Sequence, residues 1–189
     1  MARIDDIDLR LEWRSRVIDH EGDIDGSGGI KRYLQLCEKL ELDIEYVKSF
    51  KGLLPASKFA VDSYVSFVRE KSLLESIASS LTEIYAPAIH KERIEGLSKH
   101  YKWADDYALA YFKKRINQAR KDVEFGKEWV IKNAQTRDDQ ESVLNAVRFK
   151  TQVLWAQLDA LHYAYVEPGF IPPGAFIPKD FKNKYGQKI

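Results

Sequence analysis

The residues best suited to chemistry lie in one run, Ser79-Ser80-Leu81-Thr82-Glu83-Ile84-Tyr85-Ala86-Pro87-Ala88-Ile89-His90-Lys91-Glu92-Arg93. Ser76, Ser79, Ser80, Glu83, Pro87 and His90 form a stripe at helical spacing, in which small side chains open space and two titratable groups project into it. Glu83 and His90 are seven residues apart, so on a helix they share a face at a separation of roughly 10 Å. That is too far to satisfy each other and suited to flanking a bound molecule. Pro87 cannot donate to the Glu83 carbonyl, which predicts a local kink. The neighbouring stripe, Leu74, Ile77, Leu81, Ile84 and Ala88, is the face predicted to be buried.

Three further groups join this pair. Tyr111 and Arg115 stand one helical turn apart, and Arg16 and His20 do the same near the end of the first helix. A histidine there also suits the negative end of a helix dipole. Lys150 falls on an otherwise apolar stripe of Val143, Val147, Leu154, Leu158, Leu161 and Tyr165. A lysine on such a face must snorkel out, pair with a carboxylate or meet an anionic ligand. Two histidines, a glutamate, a tyrosine and several cations, without a nucleophilic dyad, suit binding a multiply charged acid, moving protons and stabilising oxygen anions.

The elements that must position these groups read as all helical. The first helix spans about Leu9 to Asp19 and ends in the Asp/Gly-rich stretch 21–29. A second starts near Gly29, and a short one covers Asp43–Phe50. Pro55 opens a helix to about Lys71, and Ser72 caps the Glu83/His90 helix. A long helix begins at Asp105 or Asp106 and runs towards Asn133. Asp138 with Glu141 resembles a capping box for a last helix that ends near Tyr165. The expectation is one helical domain over residues 1–166 and an extended tail, 167–189, which holds four of the six prolines. No segment alternates well enough to be a strand.

Composition narrows the function. With 30 Lys plus Arg against 29 Asp plus Glu, there is no basic footprint for nucleic acid. There is no apolar run of membrane-spanning length, the first residues Met-Ala-Arg-Ile-Asp-Asp lack the apolar segment of a secretory signal, and one cysteine among 189 residues fits a reducing cytoplasm. Cys37 lies on the stripe Ile30, Tyr33, Leu34, Cys37, Leu40 and is read as core packing. Several motifs fail. Asp23-Ile24-Asp25-Gly26 begins like a calcium loop, but its twelfth position is Leu34 in place of the bidentate glutamate. Gly26-Ser27-Gly28-Gly29 follows no strand and is no dinucleotide fingerprint. His100 and His162 have no ligand-spaced partners, which predicts an exposed histidine and an interface or core one.

The segments Trp13 to Gly22, Gly28-Gly29-Ile30, Leu54-Pro55 with Phe59 to Tyr64, Ser79 to His90, Tyr111 to Arg115, Arg120 to Glu124 and Phe149-Lys150 with Leu154-Trp155 together carry a resemblance. The chain resembles the pyrroloquinoline-quinone synthase family, helical proteins of the haem-oxygenase-like, TENA type, collinearly over about residues 10 to 165. The resemblance implies a compact helical bundle, usually a homodimer. It implies an oxidase without metal or organic cofactor, which closes the last ring of a bicyclic precursor and oxidises it with O2, releasing H2O2. It makes His20 the base or proton shuttle, and His90, Tyr111 and Arg115 the oxygen- and peroxide-binding core. Glu83 becomes a proton-relay carboxylate beside Thr82, and Arg16, Arg93, Lys150 and Tyr64 hold substrate carboxylates and quinone oxygens. The family has further helices before the first one here, so the chain reads as N-terminally truncated, with Leu9, Leu11 and Trp13 exposed.

Three alternatives follow from the same resemblance. A metal-dependent oxidase of this fold carries His, carboxylate and His where this chain has Arg115, Ala119 and Asp122. A guanidinium in a ligand position opposes that reading. A thiamin-hydrolysing enzyme needs a nucleophilic cysteine, and Cys37 sits on the wrong helix. The third is a truncated or non-catalytic homologue that binds the quinone or its precursor.

Overall fold

A computed structural model describes residues 3–24 and 26–186. Asp25, inside the rejected calcium-like loop, and the last three tail residues lie outside the described residues. The described chain is all-α: α1 Ile7–Glu21, α2 Gly29–Lys39, α3 Ile44–Ser49, α4 Pro55–Glu70, α5 Leu73–Ser80, a 3-10 segment Leu81–Tyr85, α6 Ala86–His100, α7 Ala110–Asn133 and α8 Arg137–Tyr165. None of these helices is long and apolar enough to cross a membrane.

Local chemistry explains most ends. The Asp6 carboxylate accepts from the Leu9 amide at 2.7 Å and caps α1. Pro55 occupies the first turn of α4, as expected. Ser72 caps α5 in reciprocity with Glu75: the Ser72 Oγ accepts from the Glu75 amide at 3.2 Å, and the Ser72 amide donates to Glu75 at 3.0 Å.

Two boundaries differ from the sequence reading. The capping box of α8 is Thr136 with Asp139, not Asp138 with Glu141, and the pair exchanges backbone-to-side-chain bonds of 3.0 and 3.1 Å. Residues 106–109 form turns, and α7 starts at Ala110. Asp105 does make the cap bond its position predicts, accepting from the Ala108 amide at 2.9 Å, and it pairs with Lys39 at 2.7 Å.

The chain partitions into two compact units. The first, residues 1–44 and 80–135, contains α1, α2, the 3-10 segment, α6 and α7. Within it α6 and the 3-10 segment pack on α7, and α2 joins α1 to α7. Leu36, Ala108, Leu109 and Phe112 form its core, with Ile94, Leu97, Trp103 and Tyr111 packed around them. Leu9 is completely buried, contrary to expectation, while Leu11 is 54% exposed. Cys37 is buried, as its stripe predicted.

The second unit, residues 45–79 and 136–189, pairs α4 with α8. Phe67 stacks on Phe149 at 4.4 Å between ring centroids, and Leu54, Ala164 and Ala175 form a small core. The residues after Tyr165 form no helix but are not a free extension. The Phe176 amide donates to the Gly52 carbonyl at 2.9 Å, and the Tyr165 hydroxyl donates to the Phe176 carbonyl at 3.0 Å. The apolar stripe read on α8 is largely exposed at Leu154, Leu158 and Leu161; the buried residues of α8 are Ala146 and Ala164, which lie off that stripe. His100 and His162 are both exposed.

Candidate active site

The helix predicted to carry Glu83 and His90 together is rewound at its centre. The 3-10 segment holds Thr82 and Glu83, and α6 begins one residue before Pro87, which sits in its first turn and needs no intrahelical donor there. The break therefore lies just upstream of the proline. A 3-10 segment advances 120° per residue against 100° in an α-helix, so the extrapolated stripes drift. Ile77 stays buried, whereas Ile84 is 55% exposed. The serine stripe is not open either. Ser79 is fully buried and donates to the Ser76 carbonyl at 2.7 Å; the Ser76 hydroxyl donates to the Ser72 carbonyl at 2.8 Å.

In the first unit α1, the 3-10 segment, α6 and α7 converge on Arg115. Its side chain is buried on the inner face of α7, where Phe112, Ala119, Asp122, Val123 and Gly126 are also buried. Nη1 donates to Asp19 at 3.0 Å and lies 3.4 Å from Asp122; Nη2 lies 3.3 Å from Glu83. Burial opposes the charge of the guanidinium, but Glu83, Asp19 and Asp122 outweigh it and push its pKa up. Arg16 comes in from α1, donating to the Asp122 carbonyl oxygen, with Glu12 at 3.4 Å from its Nε.

Tyr111, one turn before Arg115, is half-buried. Burial, with Tyr33, Glu83 and Asp19 nearby, raises its pKa against the opposing pull of Arg115. The phenol therefore stays neutral and able to donate. His90 stands edge-on to Tyr111 at 6.2 Å between centroids and 5.7 Å from Phe112. Its Nδ1 is buried and has no hydrogen-bond partner among the described residues. Burial, then the positive charges of Arg93 and Arg115, lower its pKa, which keeps the imidazole neutral. Arg93 is exposed and lies over the Phe112 ring at 5.2 Å.

His20, in the last turn of α1, reaches the same region across a glycine. A β carbon at Gly29 would lie 3.3 Å from Tyr111 Cε2 and 3.5 Å from His20 Nδ1, so the missing side chain is the space between those two rings. At Gly28 a β carbon would fall 2.2 to 2.4 Å from backbone atoms of Gly22, Glu21 and His20. Of the glycines that failed as a nucleotide fingerprint, Gly28 is there for backbone contact between the end of α1 and the start of α2.

Thus Arg16, His20, Glu83, His90, Tyr111 and Arg115 gather in the first unit, with Thr82 beside Glu83 and Arg93 at the edge. Tyr64 and Lys150 meet each other in the second unit. The Lys150 ammonium sits 3.3 Å above the Tyr64 ring, and the Tyr64 hydroxyl lies 3.0 Å from Ser79 Oγ. Asp19 and Asp122 were missed. Asp122 could have been found as Lys150 was, because it is a charged residue on the same helical face as Arg115 and Ala119. Asp19 stands three residues after Arg16, on the same turn.

The profile of the TENA/THI-4/PQQC family matches residues 1–160. A pyrroloquinoline-quinone synthase of Rhizobium meliloti (strain 1021) is 57% identical over 176 residues, covering 93% of this chain and 69% of that protein. The pyrroloquinoline-quinone synthase of Granulibacter bethesdensis is 52% identical over 179 residues, 95% of this chain and 70% of that protein. One from Bradyrhizobium diazoefficiens is 54% identical over 180 residues, covering 95% and 69% respectively.

Proposed function

The chain belongs to the TENA/THI-4/PQQC family, whose fold is all-α and haem-oxygenase-like, and from that premise we propose that it is a pyrroloquinoline-quinone synthase. In this reading it closes the last ring of a bicyclic precursor and oxidises it to the quinone. Dioxygen is the acceptor, H2O2 is released, and neither metal nor organic cofactor is required. The observation that carries the proposal is the neutral His90 whose buried Nδ1 lacks a partner, beside a neutral Tyr111 and a charged Arg115.

Each group has a role that its surroundings support. Tyr111 and His90 donate hydrogen bonds to reduced oxygen, and Arg115 stabilises the negative charge that develops on it. His20 takes a proton from the ring being oxidised. Glu83, half-exposed and touching Arg115, relays protons with Thr82 beside it. Arg16 and Arg93, and separately Lys150 and Tyr64, hold substrate carboxylates and quinone oxygens. The carboxylates Asp19, Glu83 and Asp122 are already met by the Arg115 guanidinium, which favours this reading over a dimetal oxidase. A cytoplasmic homodimer completes the proposal.

The test is aerobic incubation of the metal-stripped chain with the ring-open precursor, following quinone by absorbance and mass and assaying peroxide. Quinone together with peroxide is the expected result. Bound precursor that never advances would replace the oxidase reading with that of a binding homologue, and turnover only on adding iron or manganese would favour the metal-dependent class.

A further inference from the structure

Asp122 is buried on α7, its side chain only 3% exposed. A carboxylate in that position is costly, and an apolar residue of similar volume often serves stability as well or better. Its contacts show what the charge is used for. Oδ2 lies 3.4 Å from Arg115 Nη1, while Oδ1 accepts from the Gln118 side chain at 3.0 Å and lies 3.8 Å from Arg16 Nε. The Asp122 carbonyl oxygen accepts from Arg16 Nη2. One residue thus holds the cation of α1 and the cation of α7 together. Asp19 and Asp122 share Arg115 Nη1, so that side of the guanidinium is occupied and Nη2 is the nitrogen turned to Glu83.

Resting on the oxidase reading above, we propose that Asp122 is a positioning residue. It fixes the rotation of the Arg115 guanidinium, so that Nη2 faces the reacting oxygen, and sets Arg16 in register with it. Asp122 itself touches neither oxygen nor substrate. Its effect passes through Arg115, whose catalytic value depends on orientation because small misplacements of a preorganised donor are expensive.

Asp122→Asn keeps the volume and an oxygen for Gln118, but removes the charge and turns an amide donor towards two guanidiniums. Expected is a fall of about 10- to 100-fold in the single-turnover rate of precursor oxidation, with the precursor Kd within a few-fold of wild type. The separate readout is the side-chain 15N spectrum of arginine, assigned with Arg115→Lys. Distinct Nη1 and Nη2 signals for Arg115 in the wild type should merge in Asp122→Asn as the guanidinium begins to rotate. Gln118→Leu, which removes only the bond aligning the carboxylate, should give the same change at smaller amplitude, and it decides the matter if Asp122→Asn does not fold. A wild-type oxidation rate with separate Nη signals overturns the proposal. So does a rate that falls only in proportion to the folded fraction while the signals stay distinct. If the wild type itself does not oxidise the precursor, the oxidase reading fails, and the spectra alone still decide whether Asp122 orients Arg115.

Discussion

Replacing His90 with phenylalanine should stabilise the protein while stopping its chemistry. The ring already packs against Tyr111 at 6.2 Å and Phe112 at 5.7 Å, contacts a phenyl group reproduces. What the substitution removes is the buried, unpartnered Nδ1. An orphaned buried polar atom costs about 1–3 kcal/mol, and because the ring is only partly buried we take about 1 kcal/mol. In a chain of this size that is a rise of about 2–4 °C in Tm at pH 7.5. The gap should widen in acid. Burial, then Arg93 and Arg115, hold the folded-state pKa of His90 below the ordinary histidine value of 6.5. As pH falls below that value, the unfolded chain binds a proton that the folded chain refuses, so the wild type loses stability towards the depressed folded value. The slope in that window is at most about 1.4 kcal/mol per pH unit. His90→Phe lacks this loss, and the other histidines, common to both proteins, cancel in the comparison. Calorimetry at pH 7.5 and 5.5 reads the stability half, and single-turnover absorbance reads the chemistry, where the variant should bind precursor and stall at an intermediate. A variant less stable than wild type by the same margin at both pH values refutes the argument from the orphaned nitrogen. A wild-type yield of quinone refutes the oxygen site.

Arg115→Lys keeps the charge but cannot span Asp19 and Asp122 on one side and Glu83 on the other. Turnover should fall by roughly 10²–10³ with precursor Kd little changed, measured as single-turnover rate against equilibrium binding. Gly28→Ala places a β carbon 2.2 Å from the Gly22 amide nitrogen, against unyielding backbone. A loss of at least about 1–3 kcal/mol is expected by thermal melt, together with lost activity as the end of α1 shifts His20. Lys150→Met removes the ammonium from above the Tyr64 ring but leaves the Tyr64–Ser79 hydrogen bond. Stability should drop by only about 0.5–1 kcal/mol, whereas precursor affinity measured by titration should weaken about tenfold.

Most helices were legible because their signals are local. Pro55, Ser72 and the spacing around Cys37 act within a turn or two, so periodicity and capping rules reach them. The misplaced features depend on more distant or competing partners. Asp105 makes the cap bond expected of it, to the Ala108 amide, but also pairs with distant Lys39, and α7 begins only at Ala110. Thr136 outcompetes Asp138 as the cap because its hydroxyl and the Asp139 carboxylate satisfy each other. Of the residues read from the sequence as a set whose chemistry fits, six converge. Their mutual geometry was not legible, because Asp19 and Asp122 were overlooked as counterions and the 3-10 segment rotates Glu83 away from its extrapolated direction. The exposed face of α8 shows the same limit: periodicity identifies an apolar stripe but not whether anything covers it.

The 3-10 segment has a consequence for how this sequence can vary. Glu83 lies inside it and His90 lies beyond it on α6, so the angle between them depends on how many residues are wound in each form. Inserting or deleting one residue between Glu83 and Ala86 would turn Glu83 against His90 by about 100–120° and slide it by about 1.5–2 Å. Such a change would separate Glu83 from Arg115 without altering a single side chain of the site. Exposed Ile84 and Tyr85 can change identity at little cost to packing. In this stretch, selection should act on residue count more strongly than on residue type.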